Sequence, residues 1–188
     1  MLYINDHIDT LDWEAHLCEL PEARREKCLR FKHDAGRRQC VAVWLLLREA
    51  LHKEFGLKDV PEVALATHGK PYFPNFPDVH FSLSHCVAGV ACAVDTRPVG
   101  VDIERVRPFN DDLAAYVFNE HELELVRHAP DPALSFTVLW TQKESLLKLT
   151  GEGLRNDMKN ILKEAKCHFH TVIASDSNYV CTTAQLMD

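Results

Sequence analysis

The chain has 188 residues and a formal net charge of -7, and its residues are 46% hydrophobic and 26% charged. These values are typical of a folded globular protein and exclude an intrinsically disordered chain. The net negative charge disfavours nucleic acid as a partner. The longest unbroken apolar run, residues 41–47, is too short to span a bilayer, and the N-terminus shows neither a secretory signal nor a transit peptide. We therefore expect a cytoplasmic protein with no membrane partner.

Cysteine usage indicates a reducing compartment. Seven cysteines are scattered along the chain, and no two of them have C-x-x-C spacing. An odd, scattered set argues against both a disulfide framework and a structural zinc site. We expect reduced thiols that are mostly small residues of the core.

Positive charge is concentrated near the N-terminus. Residues 22–38 contain seven Lys or Arg against three Asp or Glu, a local charge of +4 in a chain whose remainder carries -11. A basic patch on an acidic body suits an anionic small molecule or an acidic partner protein. A solvated helix face has the same composition, so the pattern alone leaves both interpretations open.

Two helices are predicted in the first third of the chain. A helical pattern over residues 22–32 places Arg24 and Lys27 on one face. A longer helix is predicted over residues 37–55, with Gly56 as its C-terminal stop. Because the centre of this second helix is apolar on nearly every side, we expect it to be buried.

A loop and a series of strands follow. Three prolines and a glycine between residues 67 and 78 predict an ordered loop without regular structure. The alternation in residues 79–84 predicts a strand with Phe81 and Leu83 facing inward and Ser82 and Ser84 on the other face. Residues 89–94 are predicted to form the next strand.

The second half is predicted to contain one more strand, then three helices and two final strands. The predicted ranges are 99–104, 112–118, 120–128, 132–149, 167–173 and 179–184. Asn119 is the expected N-cap of the second of these helices. The sum is a mixed α and β chain with antiparallel strands.

Two acids share one face of the strand predicted over residues 99–104. Asp102 and Glu104 are two positions apart, so their side chains point outward together, opposite Val101 and Ile103 and roughly 7 Å apart along the backbone. This spacing lets both carboxylates bind one cation, and Mg²⁺ is usually held by one or two protein carboxylates together with waters and substrate phosphates. An ordinary exposed strand face is the alternative.

A second cluster lies on the helix predicted over residues 132–149. Trp140, Glu144 and Lys148 are spaced four residues apart and therefore share a helix face. The carboxylate offers a third metal ligand or a base, and the ammonium group offers a charge that neutralises phosphate. The alternative is an ordinary ion pair that stabilises the helix.

Three further residues are candidates for phosphate binding. Ser84 and His85 offer a hydroxyl and an imidazole at the end of a strand, and Lys70 offers a point charge in a Gly-Lys-Pro loop. A structural histidine and a mobile surface lysine are the alternatives. His168 and His170 have metal-like spacing, but no further ligand is near them in the sequence, so we expect them to be surface residues.

The order and intervals of these motifs resemble the Sfp-type 4'-phosphopantetheinyl transferase superfamily. The resemblance extends from about residue 21 to residue 153. The matching segments are Pro21-Glu22-Ala23-Arg24-Arg25-Glu26-Lys27-Cys28-Leu29-Arg30-Phe31, Gly69-Lys70-Pro71 with Phe81-Ser82-Leu83-Ser84-His85, Gly100-Val101-Asp102-Ile103-Glu104, and Trp140-Thr141-Gln142-Lys143-Glu144-Ser145 with Lys148.

The resemblance implies an α+β fold of two similar halves related by a pseudo-twofold axis, with mainly antiparallel strands. We expect an N-terminal half over residues 1–98 that binds the nucleotide end of coenzyme A. The C-terminal half, residues 99–188, is expected to carry the metal and the catalytic residues. The active site would lie in the cleft between the halves.

The resemblance also implies a role for each candidate residue. Asp102, Glu104 and Glu144 would hold Mg²⁺ on the pyrophosphate of coenzyme A. The expected catalytic residues are Glu144, Lys148 and Asp102, with Lys148 also binding the phosphates. The residues expected around the adenosine end and its 3'-phosphate are Arg24, Lys27, Lys70, Ser84 and His85.

The implied reaction moves the 4'-phosphopantetheine group of coenzyme A onto a serine of an apo acyl or peptidyl carrier protein and releases adenosine 3',5'-bisphosphate. We expect a monomer. Two alternatives stay open: a non-catalytic module of the same fold that binds coenzyme A or a carrier protein, and a general Mg²⁺-dependent phosphohydrolase. By family analogy the carrier protein would dock at residues 113–125, including Phe118 and Leu123, for which core packing is the alternative.

The chain departs from the family pattern at several positions. Cys86 stands where relatives often carry Ser or Thr. The spacing around Arg37 and Arg38 leaves open which of the two aligns with the family's arginine in the long helix. The C-terminus is also shorter than in many relatives, which bears on the carrier-docking surface.

Overall fold

The computed structural model describes residues 1–153, 158–176 and 178–187. Its helices and strands follow the predicted order closely, with an additional strand at the N-terminus. They are β1 (Leu2–Asn5), α1 (Glu22–Leu29), α2 (Asp34–Phe55), β2 (Ala64–Leu65), β3 (Pro71–Tyr72), β4 (His80–Cys86), β5 (Gly89–Asp95), β6 (Val99–Arg105), α3 (Asp111–Val117), α4 (Glu120–Arg127), α5 (Pro132–Thr150), β7 (Cys167–Ile173) and β8 (Tyr179–Leu186).

The first sheet has the strand order β1-β5-β4, and both pairs are antiparallel. Helix α2 packs across this sheet, and its central residues Val41, Val43 and Leu47 are fully buried. The helix ends at Gly56, whose φ of 67° is a left-handed conformation that favours glycine. The prediction of a buried long helix with a glycine stop is confirmed.

The second sheet has the strand order β6-β8-β7, again antiparallel throughout. Helix α5 lies across β6 and β8. At the start of α4, the side chains of Asn119 and Glu122 each accept a hydrogen bond from the other residue's backbone N–H, which forms a capping box. The predicted N-cap at Asn119 is therefore confirmed.

The two sheets are joined where β4 and β5 pack against β6. An apolar cluster that includes Ala91, Val101 and Ile103 fills this junction. The hydroxyl oxygen of Ser82 accepts a hydrogen bond from the backbone N–H of Val101 at 3.0 Å. The predicted mixed α+β fold with antiparallel strands is confirmed, whereas the pseudo-twofold axis and the division between residues 98 and 99 stay predictions.

Three local features differ from the prediction. The proline-rich loop contains β3, which pairs with β2; Pro71 can begin this short strand because the first residue of a strand does not need to donate a ladder hydrogen bond. Helix α1 ends at Leu29, three residues earlier than predicted, and α2 begins at Asp34. The serine face of β4 is buried, since β6 covers it.

Two predictions about the whole chain can be compared with the fold. All seven cysteines are free and six of them are buried, which confirms that most of them are residues of the core. Within the described residues, no helix is both long and apolar enough to cross a membrane.

Candidate active site

A basic cavity is bordered by α1, the β2–β3 turn, β4 and the end of α5. Its volume is about 280 Å³. The candidate residues among those lining it are Arg24, Lys27, Lys70, His85 and Lys148. The structure therefore brings together five residues that are far apart in the sequence, four from the first half of the chain and one from α5.

Ser84, Asp102 and Lys148 form a closed polar contact beside this cavity. The ammonium group of Lys148 donates to Asp102 Oδ1 at 2.7 Å and to Ser84 Oγ at 2.8 Å. The Ser84 hydroxyl in turn donates to Asp102 Oδ1 at 2.8 Å. Because the three residues come from β4, β6 and α5, this contact links both sheets and the long helix at one point.

Gly100 explains how α5 comes close enough to β6 for this contact. A Cβ atom at position 100 would lie 1.9 Å from the carbonyl oxygen of Ser145 and 2.5 Å from the backbone nitrogen of Leu149. Glycine is therefore required by close backbone approach. The short helix-to-strand distance brings Lys148 within reach of Asp102, two residues after Gly100.

Glu104 and Glu144 both lie close enough to Asp102 for its charge to influence their ionisation. Burial, followed by the negative charge of Asp102, raises the pKa of Glu104 to about 7, and Glu144 acts in the same direction. Burial and then Asp102 also raise the pKa of Glu144, against the opposing charge of Lys148. These effects are consistent with the prediction that Glu144 of α5 lies close to the acidic face of β6.

A divalent cation is compatible with this group of acids. Asp102 is only 3% exposed, and its Oδ2 atom has no hydrogen-bond partner among the described residues. Positive charge here would relieve the repulsion between the carboxylates. In the described part of the chain, no group of three or more His, Cys, Asp or Glu is arranged to hold a metal ion. Mg²⁺ commonly takes one or two protein carboxylates and completes its shell with water and phosphate, so these residues fit such an ion.

The surroundings of His85 favour its neutral form, and a residue that the sequence patterns did not reveal orients its ring. Burial, and then the positive charges of Arg24, Lys148 and Lys27, lower the pKa of His85 to about 4. The Nδ1 atom of His85 lies 3.1 Å from Oε1 of Gln39, a buried residue of α2. In the sequence, Gln39 is a single amide residue next to the apolar centre of a long helix. Nothing in that pattern indicates that its partner is His85.

The arginines of the basic segment have different surroundings. Arg24 lies over the ring of Trp44, with 5.5 Å between Cζ and the ring centroid, and lines the cavity. Arg37 donates from Nε to the carbonyl oxygen of Phe31 at 3.0 Å, and Arg38 donates to that of Leu11 at 3.2 Å. These contacts give Arg37 and Arg38 a role in holding the N-terminal segments to α2.

Lys143 is a second residue whose role the sequence patterns missed. Its side chain is 0% exposed and its Nζ lies 2.7 Å from Oε2 of Glu122. The ammonium group also donates to the carbonyl oxygens of Val117 and Met158 at 3.1 and 2.6 Å. These contacts hold Lys143, and with it the neighbouring Glu144 on α5, against α3, α4 and the segment around residue 158.

Two other predictions concern residues outside the cleft. His168 and His170 are both exposed, which confirms that they are surface residues. Phe118 is 1% exposed and packs in the core of the second half, and Leu123 packs against the same core. Core packing, the alternative for these two residues, is therefore the correct interpretation.

The fold and the cavity together define an α+β protein with two antiparallel sheets and a basic cavity between α1, β4 and the end of α5. Comparison with known proteins identifies the family. Residues 98–184 match the family described as the 4'-phosphopantetheinyl transferase superfamily. A 4'-phosphopantetheinyl transferase of Bacillus subtilis is 33% identical over 156 residues, 81% of this chain and 70% of that protein.

Other relatives agree. The 4'-phosphopantetheinyl transferase Sfp of Bacillus subtilis (strain 168) is 31% identical over 157 residues, 81% of this chain and 70% of that protein. The 4'-phosphopantetheinyl transferase AcpT of Salmonella typhimurium is 31% identical over 153 residues, 75% of this chain and 76% of that protein. The chain belongs to the 4'-phosphopantetheinyl transferase superfamily and is an enzyme of the transferase class.

Proposed function

We propose that this enzyme transfers the 4'-phosphopantetheine group of coenzyme A to a serine of an apo acyl or peptidyl carrier protein, with Mg²⁺, and releases adenosine 3',5'-bisphosphate. The observation that carries the proposal is the contact of Lys148, Asp102 and Ser84 beside a basic cavity. It joins a cationic binding surface to a buried acidic group at the junction of the two sheets.

The basic wall of the cavity supports binding of the adenosine end of coenzyme A. Arg24 and Lys27 line it from one turn of α1, and His85 faces them from β4. A phosphate bound there would attract a proton to His85, because its negative charge offsets the cations that keep the imidazole neutral. The 3'-phosphate is the group that we assign to this wall.

The acids beside Lys148 support a metal site. Asp102 and Glu104 would hold Mg²⁺, with the unpartnered Oδ2 of Asp102 as one ligand atom, and water and phosphate oxygens would complete its shell. When bound, the ion would supply positive charge to the pyrophosphate oxygens and lower the basicity of the leaving group.

The chain's own residues then have distinct tasks in an in-line displacement. The carrier serine oxygen forms a bond to the phosphorus next to pantetheine as the bond from that phosphorus to the bridging oxygen breaks. We assign the serine proton to Glu144, because burial raises its pKa and so makes it a stronger base than an exposed glutamate. Lys148 neutralises charge on the phosphates, so most of the catalysis is positioning and electrostatics.

Mass spectrometry tests the proposal directly. The protein is incubated with coenzyme A, Mg²⁺ and a panel of apo carrier proteins, and a carrier that gains one phosphopantetheine supports it. Glu144→Gln is expected to abolish the gain while the fold persists, and Glu14→Gln, at an exposed glutamate before α1, is the matched control. No gain on any carrier by the folded wild-type protein, or full activity of Glu144→Gln, would count against the respective part of the proposal.

The same assay separates the alternatives. A non-catalytic module would bind coenzyme A in calorimetry without modifying any carrier, and EDTA would leave that binding unchanged. A phosphohydrolase would release adenosine 3',5'-bisphosphate from coenzyme A with no acceptor protein present.

A further inference from the structure

The ammonium group of Lys70 contacts protein carbonyls at the edge of the cavity. Its Nζ donates to the carbonyl oxygen of Leu149 at 2.6 Å and, more weakly, to that of Val99 at 3.5 Å. Leu149 lies in the last turn of α5, next to Lys148, and Val99 is the first residue of β6. One side chain from the β2–β3 turn therefore touches both elements that carry the acids and the lysine of the site.

We propose that Lys70 is a positioning residue that fixes the end of α5 to the start of β6, and that it is not a ligand of the 3'-phosphate. This inference deepens the proposed function, because α5 and β6 carry the residues assigned to the reaction. It also revises the role expected for Lys70 from its motif.

The backbone around Lys70 is held in one conformation. The backbone N–H of Ala66 donates to the Lys70 carbonyl oxygen at 2.9 Å, and that of Gly69 donates to the Ala66 carbonyl oxygen at 2.8 Å. Gly69 has a φ of 82°, which only glycine adopts readily. The turn therefore directs the Lys70 side chain toward α5.

The end of α5 needs such a partner. The last carbonyls of a helix have no donor within the helix, and a cation there interacts favourably with the helix dipole. The N–H of Gly151 satisfies the Leu147 carbonyl at 2.9 Å, and Lys70 satisfies the carbonyl of Leu149. Gly151 also makes room for the lysine, since a Cβ at position 151 would lie 3.1 Å from Lys70 Cδ.

Because Lys70 is partly buried, moving its ammonium group away from these carbonyls would cost free energy. Lys70 is half-buried, and burial lowers its pKa. A move toward a phosphate would break the bond to Leu149 and leave a buried carbonyl without its donor. Lys27 offers a contrast, because it lines the same cavity from an exposed position on α1.

Two ligands that differ by one phosphate separate the two roles of Lys70. Affinities for coenzyme A and 3'-dephospho-coenzyme A are measured by calorimetry for the wild type, Lys70→Met and the matched control Lys27→Met. We expect Lys70→Met to weaken the binding of both ligands by the same small factor. Lys27→Met should weaken coenzyme A alone, by roughly tenfold, as expected for one lost charged contact. Selective loss of coenzyme A in Lys70→Met would overturn the proposal.

Steady-state kinetics provides a second readout. Lys70→Met should lower kcat by about tenfold or more, because small displacements of reacting groups slow the chemical step. The KM for coenzyme A should change much less, and Lys70→Arg, which keeps a cationic donor, should restore part of the lost kcat. A Lys70→Met enzyme whose kcat is unchanged would contradict a positioning role.

Hydrogen exchange tests the same contact without any ligand. The backbone N–H groups in the last turn of α5, up to Gly151, should exchange faster in Lys70→Met and at the wild-type rate in Lys27→Met. Unchanged exchange there in Lys70→Met would overturn the inference even if the enzyme transfers phosphopantetheine. If Lys70→Met exchanges faster but the wild-type protein transfers no phosphopantetheine, the proposed function would be contradicted and the role of Lys70 would stand.

Discussion

Helix α5 carries two lysines that pair with buried acids at the same distance, 2.7 Å, and the two pairs differ in how fully their polar atoms are used. Lys143, which pairs with Glu122, is 0% exposed and also donates to backbone carbonyls from neighbouring segments. Lys148, which pairs with Asp102, keeps 31% of its side chain exposed, and Asp102 Oδ2 has no partner in the described chain. The first pair is saturated and the second is open toward the cavity.

This difference explains why one pair holds the fold and the other is available for chemistry. A saturated ion pair can gain nothing from a ligand, since its donors and acceptors already have partners. An open pair beside a cavity can exchange a protein contact for a phosphate or a cation. The four residues between the lysines therefore separate a saturated ion pair from an open one on a single helix.

Removal of Lys143, the lysine of the saturated pair, should have the largest effect on stability. We expect Lys143→Met to lower the free energy of unfolding by about 3–5 kcal/mol, because Glu122 is left as a buried charge without its partner. Denaturant titration followed by circular dichroism measures the loss. Lys53→Met, which breaks the exposed pair with Glu49, is the control and should cost less than about 1 kcal/mol. A loss as small as the control's in Lys143→Met would remove the distinction between the two pairs.

The packing that brings the open pair together should be nearly as sensitive. We expect Gly100→Ala to lower the free energy of unfolding by about 3 kcal/mol, at the upper end of overpacking effects, because its Cβ would overlap backbone atoms of α5. Gly56→Ala, which meets open space at a φ of 67°, should cost only about 1–2 kcal/mol through backbone strain. Stability equal to the wild type in Gly100→Ala would mean that α5 can move away from β6 freely.

Breaking the open pair should reduce activity more than stability. We expect Lys148→Met to reduce transfer by about 10²- to 10³-fold, a typical effect of losing one charge-stabilising donor. Its free energy of unfolding should fall by about 1–3 kcal/mol, because Asp102 loses a hydrogen-bonded partner. Thermal denaturation with Mg²⁺ or with EDTA then compares the two pairs.

Added Mg²⁺ should stabilise Lys148→Met more than the wild type, since Asp102 Oδ1 no longer has an ammonium partner that competes with the ion. The same addition should leave the deficit of Lys143→Met unchanged. Equal Mg²⁺ effects on the two variants would contradict the assignment of the metal to the acids beside Lys148.

Local patterns in the sequence predicted one side of this comparison and missed the other. Asp102 and Lys148 stand in motifs whose spacing predicts a shared face on a strand and on a helix, and the structure brings those faces together. Lys143 lies in the same motif, but its partner Glu122 is 21 residues away, and only tertiary packing shows that they meet. The capping box at Asn119 was predictable because both of its residues lie within one helical turn.

Burial was the property that the patterns predicted least well. Alternation placed Asp102 and Ser84 on the face opposite the apolar residues, which suggested solvent. In the structure both are buried, at 3% and 6% exposure, because β6 covers β4 and α5 covers β6. Alternation along one strand specifies which side chains share a face, but the element that covers this face comes from elsewhere in the chain.

The smallest expected effect concerns His85, whose pKa depends in part on the charge of Lys148. Burial and then nearby cations lower the pKa of His85 to about 4, so the unfolded chain binds more protons at this site between that pH and the ordinary value near 6.5. The stability contribution is therefore complete above about pH 6.5 and is lost as the pH falls toward 4, by about 1–2 kcal/mol at pH 5. NMR titration of the imidazole should show a higher pKa in Lys148→Met, because one of the cations is gone, and an unchanged pKa in Lys53→Met. A His85 pKa near 6.5 in the wild-type protein would mean that the imidazole is neither buried nor close to these cations.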